Sequence, residues 1–137
     1  MTYLLDTSAC IAVINGQPVS VRLRLQKVLS RGAQIRVSSV VLFELWYGVA
    51  KSARPEANAK RVETFFAGPV SLLSFDEEDA RVAGEIRAAL EAAGKPIGAY
   101  DVLIAGQAMR HNLTAVTANA KEFGRVKGLA WENWGRS

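Results

Sequence analysis

Two spacings of apolar residues alternate along this chain. TYLL (2–5) is a short continuous apolar run of a length suited to a buried strand, and a short helical turn is expected from Thr7. Pro18 suits the opening of a helix, Val21, Leu25 and Val28 or Leu29 recur at helical spacing to about Ser30, and Gly32 ends it. IRVSS (35–39) reads as a second strand that feeds directly into an apolar helix containing VVLFELWYGV (40–49). Pro55 opens a further helix over 55–67, stopped by Gly68-Pro69. VSLLSF (70–75) is a third strand, and Asp76 is the expected N-cap of a helix through Ala93 with Ala83, Ile86 and Leu90 in register. After the loop GKPIG, AYDVLIAGQAMRHN (99–112) is apolar almost all round, hence a central helix; TAVT (114–117) is a fourth strand and GLAWENW holds a short fifth. Strands alternating with helices predict a single α/β domain over 1–137, with a parallel sheet of four or five strands covered on both faces. In such sheets ligands bind at the carboxyl ends of the strands.

A length of 137 residues suffices for a single domain that buries roughly two-thirds of its unfolded surface. Half the residues are hydrophobic and 22% are charged, which excludes disordered and fibrous classes. MTYLLDTSACIAVING lacks a basic flank and carries an acid, so it reads as strand and turn rather than as a secretory leader, and no apolar run approaches the roughly 18 residues of a membrane span. With one cysteine, Cys10, no internal disulfide can form; a reducing, cytoplasmic setting is expected, with Cys10 as a small core residue. Seventeen Lys and Arg against thirteen Asp and Glu give +4, which favours a polyanionic partner. Lys51, Arg54, Lys60 and Lys121 are candidate phosphate contacts.

Three acids stand out because nothing nearby neutralises them. Glu44 lies within an apolar helix whose neighbours at three and four positions are Val40, Val41, Tyr47 and Gly48, none of them basic. Asp6 closes the first strand and Asp101 sits in the first turn of the central helix, both in apolar surroundings. The topology brings all three to one edge of the sheet. Clustered carboxylates repel one another, and a hard divalent cation with oxygen ligands, Mg²⁺ or Mn²⁺, removes that cost. Zinc is disfavoured by the presence of one His and one Cys, and His111 suits a helix C-terminus better than a nucleophile system.

YLLDTSACI, SSVVLFELWYGV, IGAYDVLIAGQA, AVTANAKEF and a closing WENW resemble, in order and spacing, the motifs of the PIN-domain ribonucleases, and in particular the VapC-type toxins of toxin–antitoxin pairs. The resemblance implies a three-layer α/β/α sandwich and a Mg²⁺- or Mn²⁺-dependent endoribonuclease, with Asp6, Glu44 and Asp101 at the acidic, metal-holding positions. It implies too a homodimer, an RNA substrate (transfer, ribosomal or messenger) and a small antitoxin whose tail occupies the active-site groove. Thr7 or Ser8, and Thr117, match hydroxyl positions that help hold the acids or a coordinated water. At the fourth acidic position the chain departs from the pattern with Asn119, whose carbonyl can bind a metal or its water but adds no charge. Glu122 either turns inward to supply the missing acid or stands solvated in a first helical turn. The mechanism implied has Asp6 and Asp101 holding the cation and Glu44 holding or deprotonating the attacking water.

Three rivals compete with a toxin. A phospho-acceptor receiver needs its acceptor at the end of a central strand, whereas Asp76 opens an acidic DEED run typical of a helix start. A catalytically silent RNA- or protein-binding module would present Trp46, Tyr47, Trp131 and Trp134 to a partner and should have lost one of the three acids. A housekeeping RNA-processing PIN nuclease commonly carries more than this short chain.

Overall fold

The computed structural model describes residues 1–136. Its elements in chain order are β1 (Thr2–Leu5), α1 (Thr7–Asn15), α2 (Val19–Ser30), β2 (Gln34–Ser38), α3 (Ser39–Lys51), α4 (Pro55–Ala67), β3 (Ser71–Leu73), α5 (Glu77–Ala92), α6 (Ala99–His111), β4 (Thr114–Val116), α7 (Ala120–Phe123) and β5 (Trp131–Glu132). The five strands form one all-parallel sheet of order β3-β2-β1-β4-β5, flanked by the helices. The chain therefore starts at the middle strand, steps outward twice, then returns to the other side of β1. Right-handed crossovers put the outgoing and returning connections on opposite faces. Accordingly α1 packs on α2, α3 and α4, and α6 on α5 and α7, while α3 also meets α6.

Apolar runs become strands here because both faces of the sheet are covered. Leu4, Leu5, Val37, Ala115 and Val116 are all but inaccessible, and each fully buried Val or Leu contributes roughly 1.5–3 kcal/mol. Register then fixes the site. Leu5 pairs with Val37 on one side and Val116 on the other, so the next row along the carboxyl edge is Asp6, Ser38 and Thr117. All three polar side chains are buried. Asp6 and Thr117 flank the place where the strand order reverses, the usual ligand crevice of an open α/β sheet.

Two helices differ from expectation. The turn after Thr7 is a nine-residue helix, because Asp6 caps its start by accepting from the Ala9 amide and Gly16, at φ 71°, ends it in the left-handed region. Residues 120–123 form a further single turn, α7. Strands three and five are shorter than their apolar stretches, at three and two residues. The α5 start is as expected: Asp76 and Asp79 form a reciprocal capping box. The α5–α6 contact depends on Gly106, where a Cβ would stand 2.7 Å from the Ala83 backbone. Cys10 is buried in the core. Among the described residues no helix is long and apolar enough to cross a membrane.

Candidate active site

Asp6 sits at the carboxyl end of β1, tied by its own amide to the Val116 carbonyl of β4 at 3.0 Å. Its Oδ1 accepts from the Ser8 hydroxyl at 2.7 Å and the Ala9 amide at 2.8 Å. Burial pushes the Asp6 carboxyl above its ordinary pKa, opposed by hydrogen bonds from Thr117, Ala9 and Ser8, while the nearby charge of Glu44 adds to the rise. Ser8 in turn accepts from the Ala118 amide at 3.1 Å, and Thr117 accepts from the Asn119 amide at 2.9 Å. Both hydroxyls thus join the β1 and β4 ends to each other.

Glu44, half-buried on α3, receives a hydrogen bond from Thr7 at 2.6 Å and has no basic partner among the described residues. The third acid, Asp101, lies in the first turn of α6. Asn119 donates from Nδ2 to Asp101 Oδ2 at 2.9 Å and to Glu122 Oε2 at 2.6 Å, and Glu122 Oε1 accepts from the Gly98 amide at 3.2 Å. Asn119 thus holds two acids side by side from one nitrogen, while its carbonyl, the group expected to bind a metal or its water, has no protein partner among the described residues.

Burial, the hydrogen bond to Glu122 and the charges of Glu122 and Asp6 raise Asp101 from 3.8 to about 7, against the Asn119 hydrogen bond. Glu122 moves the other way, lowered chiefly by its hydrogen bond with Asp101. The two carboxyls thus move in opposite directions: burial and Glu122 favour the neutral form of Asp101, while their hydrogen bond favours the charged form of Glu122. Of the two positions open to Glu122, the inward one is observed.

Asp6, Asp101 and Glu44 were expected around one ion. They reach the same end of the sheet, but among the described residues no three His, Cys, Asp or Glu side chains are grouped closely enough to grip a metal together. Each acid is held by its own donors. A hard cation still fits the donor set. Every donor is an oxygen, the mutual repulsion among Asp6, Glu44, Asp101 and Glu122 is what a cation relieves, and Mg²⁺ characteristically takes one or two protein carboxylates and keeps several waters.

Beyond Glu44, a groove of about 500 Å³ is lined by Thr7, Ile11, Phe43, Tyr47, Lys51 and Tyr100. A neighbouring hollow continues it between α1, α3 and α4 past Ile14, Gly48 and Arg61. Phe43 and Tyr100 directly precede Glu44 and Asp101, and their ring centroids are 5.9 Å apart. Sequence reasoning passed over this pair, although aromatics adjacent to two of the singled-out acids were visible. Lys51 lies 4.7 Å from the Tyr47 ring centroid at the groove's edge, whereas Arg54, Lys60 and Lys121 are simply exposed. Of the four aromatics expected at a surface or core, Trp46 and Tyr47 are exposed, Trp131 is half-buried and Trp134 is buried. His111 is at the α6 C-terminus as expected, but it also touches buried Asp79, with Nε2 3.1 Å from Oδ1.

The PIN domain profile matches residues 3–129. A tRNA(fMet)-specific endonuclease VapC of Shigella flexneri is 42% identical over 134 residues, 98% of each chain. Ribonuclease VapC2 of Rickettsia felis is 40% identical over the same share of both chains. Among solved structures, VapBC2 from Rickettsia felis bound to a promoter DNA fragment aligns with TM-score 0.90 at 40% identity, covering 98% of this chain and 99% of that one. DNA-bound VapBC from Salmonella typhimurium aligns with TM-score 0.88 at 39% identity and 98% coverage of both.

Proposed function

The chain belongs to the PIN-domain family, in its VapC branch, and from that premise we propose that the acidic end of its sheet cleaves RNA with Asp6, Asp101 and Glu44 as the working carboxylates. It is an endoribonuclease toxin inhibited by a cognate antitoxin. The observation that carries the site assignment is the convergence of Asp6, Thr7–Glu44 and Asp101–Asn119–Glu122 on the crevice between β1 and β4.

PIN-domain nucleases depend on divalent metal. In this chain Mg²⁺, with Mn²⁺ as substitute, suits the all-oxygen donors, and Asp6 and Asp101 would hold it. When bound, such a cation supplies Lewis-acid stabilisation of the phosphoryl oxygens and acidifies water. Ser8, Thr117 and the Ala9 amide fix the Asp6 carboxylate against the cost of its burial. Glu44, with only a hydroxyl donor, retains lone pairs to take a proton from the attacking water. Asn119 keeps Asp101 and Glu122 in contact, so the two acids act as a unit carrying one fewer charge when Asp101 is protonated.

Transfer RNA is the substrate favoured by the Shigella flexneri relative, whose name specifies tRNA(fMet). The antitoxin's seat in this proposal is the apolar groove along α1, α3 and α4. It opens on Glu44, so a segment with apolar side chains and a terminal cation would match both its lining and its acidic mouth. A homodimer, formed over exposed apolar side chains such as Trp46, completes the proposed assembly, which acts in the cytoplasm among its RNA targets. The whole described chain works as one domain.

Inducible expression in a bacterium tests the reading, with the wild-type chain alone, the Asp6→Asn variant, and co-expression of any short reading frame adjoining the gene. Growth arrest with discrete tRNA fragments, absent in the variant and suppressed by the co-expressed partner, is expected. Equal RNA cleavage by folded Asp6→Asn protein would remove Asp6 from the mechanism. Intact RNA in cells rich in folded wild-type protein would overturn the ribonuclease reading.

A further inference from the structure

The crevice opens on a second side, away from the α1–α3 groove. There a cleft of about 180 Å³ lies between the α1–α2 connection and the carboxyl ends of β4 and β5. Ser8 and Thr117, the hydroxyls that hold Asp6, form its inner wall; Gln17, Pro18, Asn133 and Trp134 form the rest that matters here. Asn133 and Trp134 also line a separate hollow of about 230 Å³, with Arg24, Lys27 and Arg136 among its other lining residues. We propose that this cleft and the adjoining hollow form a nucleotide-reading subsite of the nuclease: a base adjoining the scissile phosphate lodges in the cleft against Trp134, the Asn133 amide reads its edge, and the next phosphate rests on Lys27, Arg24 and Arg136. The inference rests on the ribonuclease reading and adds to it the residues that choose the sequence cut.

Several observations point the same way. The cleft is preformed. Trp134 is only 4% exposed, its ring is packed edge-on against Tyr3 at 5.2 Å, and its Nε1 donates to Glu132 at 2.9 Å, so it is a fixed apolar wall.

Asn133 is oriented. Its Oδ1 accepts from the Gly135 amide at 2.9 Å, which directs the NH₂ group elsewhere, and among the described residues that group has no protein partner. An immobilised amide donor beside an apolar wall selects bases by their acceptor atoms, and unpaired RNA bases offer those edges. Gln17, exposed at the cleft mouth, provides a second amide with no partner among the described residues.

The cations of the hollow are largely uncommitted, which separates them from other basic residues of the same region. Arg22 donates to the Val13 and Ile14 carbonyls and Arg61 to Ile14 and Asn15, so both are used in closing the end of α1. Lys27 has no acidic partner among the described residues, and Arg24 has only an exposed 3.4 Å contact with Glu132, of a kind that is weak in water. A solvated helix face would point its charges outward without a pocket between them and the acids. Here they line a hollow that shares Asn133 and Trp134 with the cleft beside Ser8 and Thr117.

Cleavage of a pool of short single-stranded RNAs of random sequence, with Mn²⁺ present and the cut ends sequenced, tests the proposal. Four variants are compared with wild type: Asn133→Ala, Gln17→Ala, Lys27→Ala with Arg136→Ala, and inactive Asp101→Asn. Asn133→Ala is expected to flatten the base preference at one position next to the cut by about tenfold. The double cation variant should slow cutting of all sequences alike by about tenfold and flatten the salt dependence of RNA binding, since each lost phosphate contact removes close to one unit of slope. Unaltered base preference in both Asn133→Ala and Gln17→Ala would overturn the reading subsite. So would an unchanged salt slope in the double variant, whose exposed positions on α2 and beyond β5 leave folding untouched. Failure of wild type to cut any RNA would instead strike the ribonuclease reading on which the inference stands.

Discussion

Replacing Asp101 by Asn should stabilise the metal-free protein while abolishing cleavage. Asp101 rises from 3.8 to about 7 in the folded state, driven first by burial and then by its contact with Glu122. Because the folded value lies above the unfolded one, the native state holds more protons than the unfolded chain between those limits, and stability falls as pH rises through them. The penalty is complete above pH 7 and absent near pH 4. At full value a rise of that size corresponds to about 4 kcal/mol. Asp101 is half-exposed, so solvent screening reduces this to about 1–2 kcal/mol.

Asn reproduces the protonated acid without titrating. Its oxygen can accept from Asn119 and its nitrogen can donate to Glu122, the two contacts Asp101 makes now. For a domain of this size the gain is a Tm higher by about 3–8 °C at pH 8. Thermal unfolding in chelator, followed by circular dichroism from pH 5 to pH 8, measures it. The difference between variant and wild type should shrink steadily toward pH 5. Mn²⁺ should raise the wild-type Tm through preferential binding to the folded state and leave the variant nearly unmoved. A variant less stable than wild type at pH 8, or a difference that does not change with pH, would refute the reasoning.

Further outcomes follow from other contacts. Glu44→Gln keeps the hydrogen bond to Thr7 but cannot take a proton, so RNA cleavage should fall by roughly 10²–10⁴-fold with Tm nearly unchanged; a loss below tenfold would remove Glu44 as the base. Gly106→Ala drives a methyl into the Ala83 backbone and should cost about 1–3 kcal/mol in urea unfolding, and an unaffected protein would mean the α5–α6 contact yields freely. Arg110→Ala strips the fully buried Asp79 of its guanidinium, leaving Gln107, His111 and the Asp76 amide; the urea midpoint should fall, and an unchanged midpoint would show that those donors suffice.

Most of the fold was legible because strands buried on both faces leave uninterrupted apolar runs, and helices leave Pro, Asp and Gly at their ends. TYLL, the Pro55–Ala67 helix and the Asp76 cap needed no tertiary information. Helix α1 was under-read as a turn since its cap is Asp6, a residue already singled out for chemistry, and capping and chemistry are not exclusive for it. One carboxylate oxygen of Asp6 closes the helix, and the same buried group is also placed at the crevice.

The acids were found by their lack of local partners, a signal confined to the sequence. What the sequence could not give was how they divide: Glu44 with Thr7 on one side, Asp101 with Asn119 and Glu122 on the other, Asp6 between the strand ends. That division depends on the β1–β4 register and on loops that bring Gly98 beside Glu122, both products of long-range packing. The Asn133 cleft was invisible for the same reason, since Pro18 and Trp134 lie at opposite ends of the chain.

Asn119 shows why an acidic site tolerates a neutral residue at its fourth position. A third carboxylate beside Asp101 and Glu122 would find no donor among the residues now touching it, and its repulsion would add to the burial and charge that already raise Asp101. The amide turns that repulsion into two hydrogen bonds and fixes both acids in place. In the proposed mechanism the negative charge left on the site is what would draw a cation to Asp6 and Asp101, and Asn119 keeps Asp101 in place for it without adding to the repulsion.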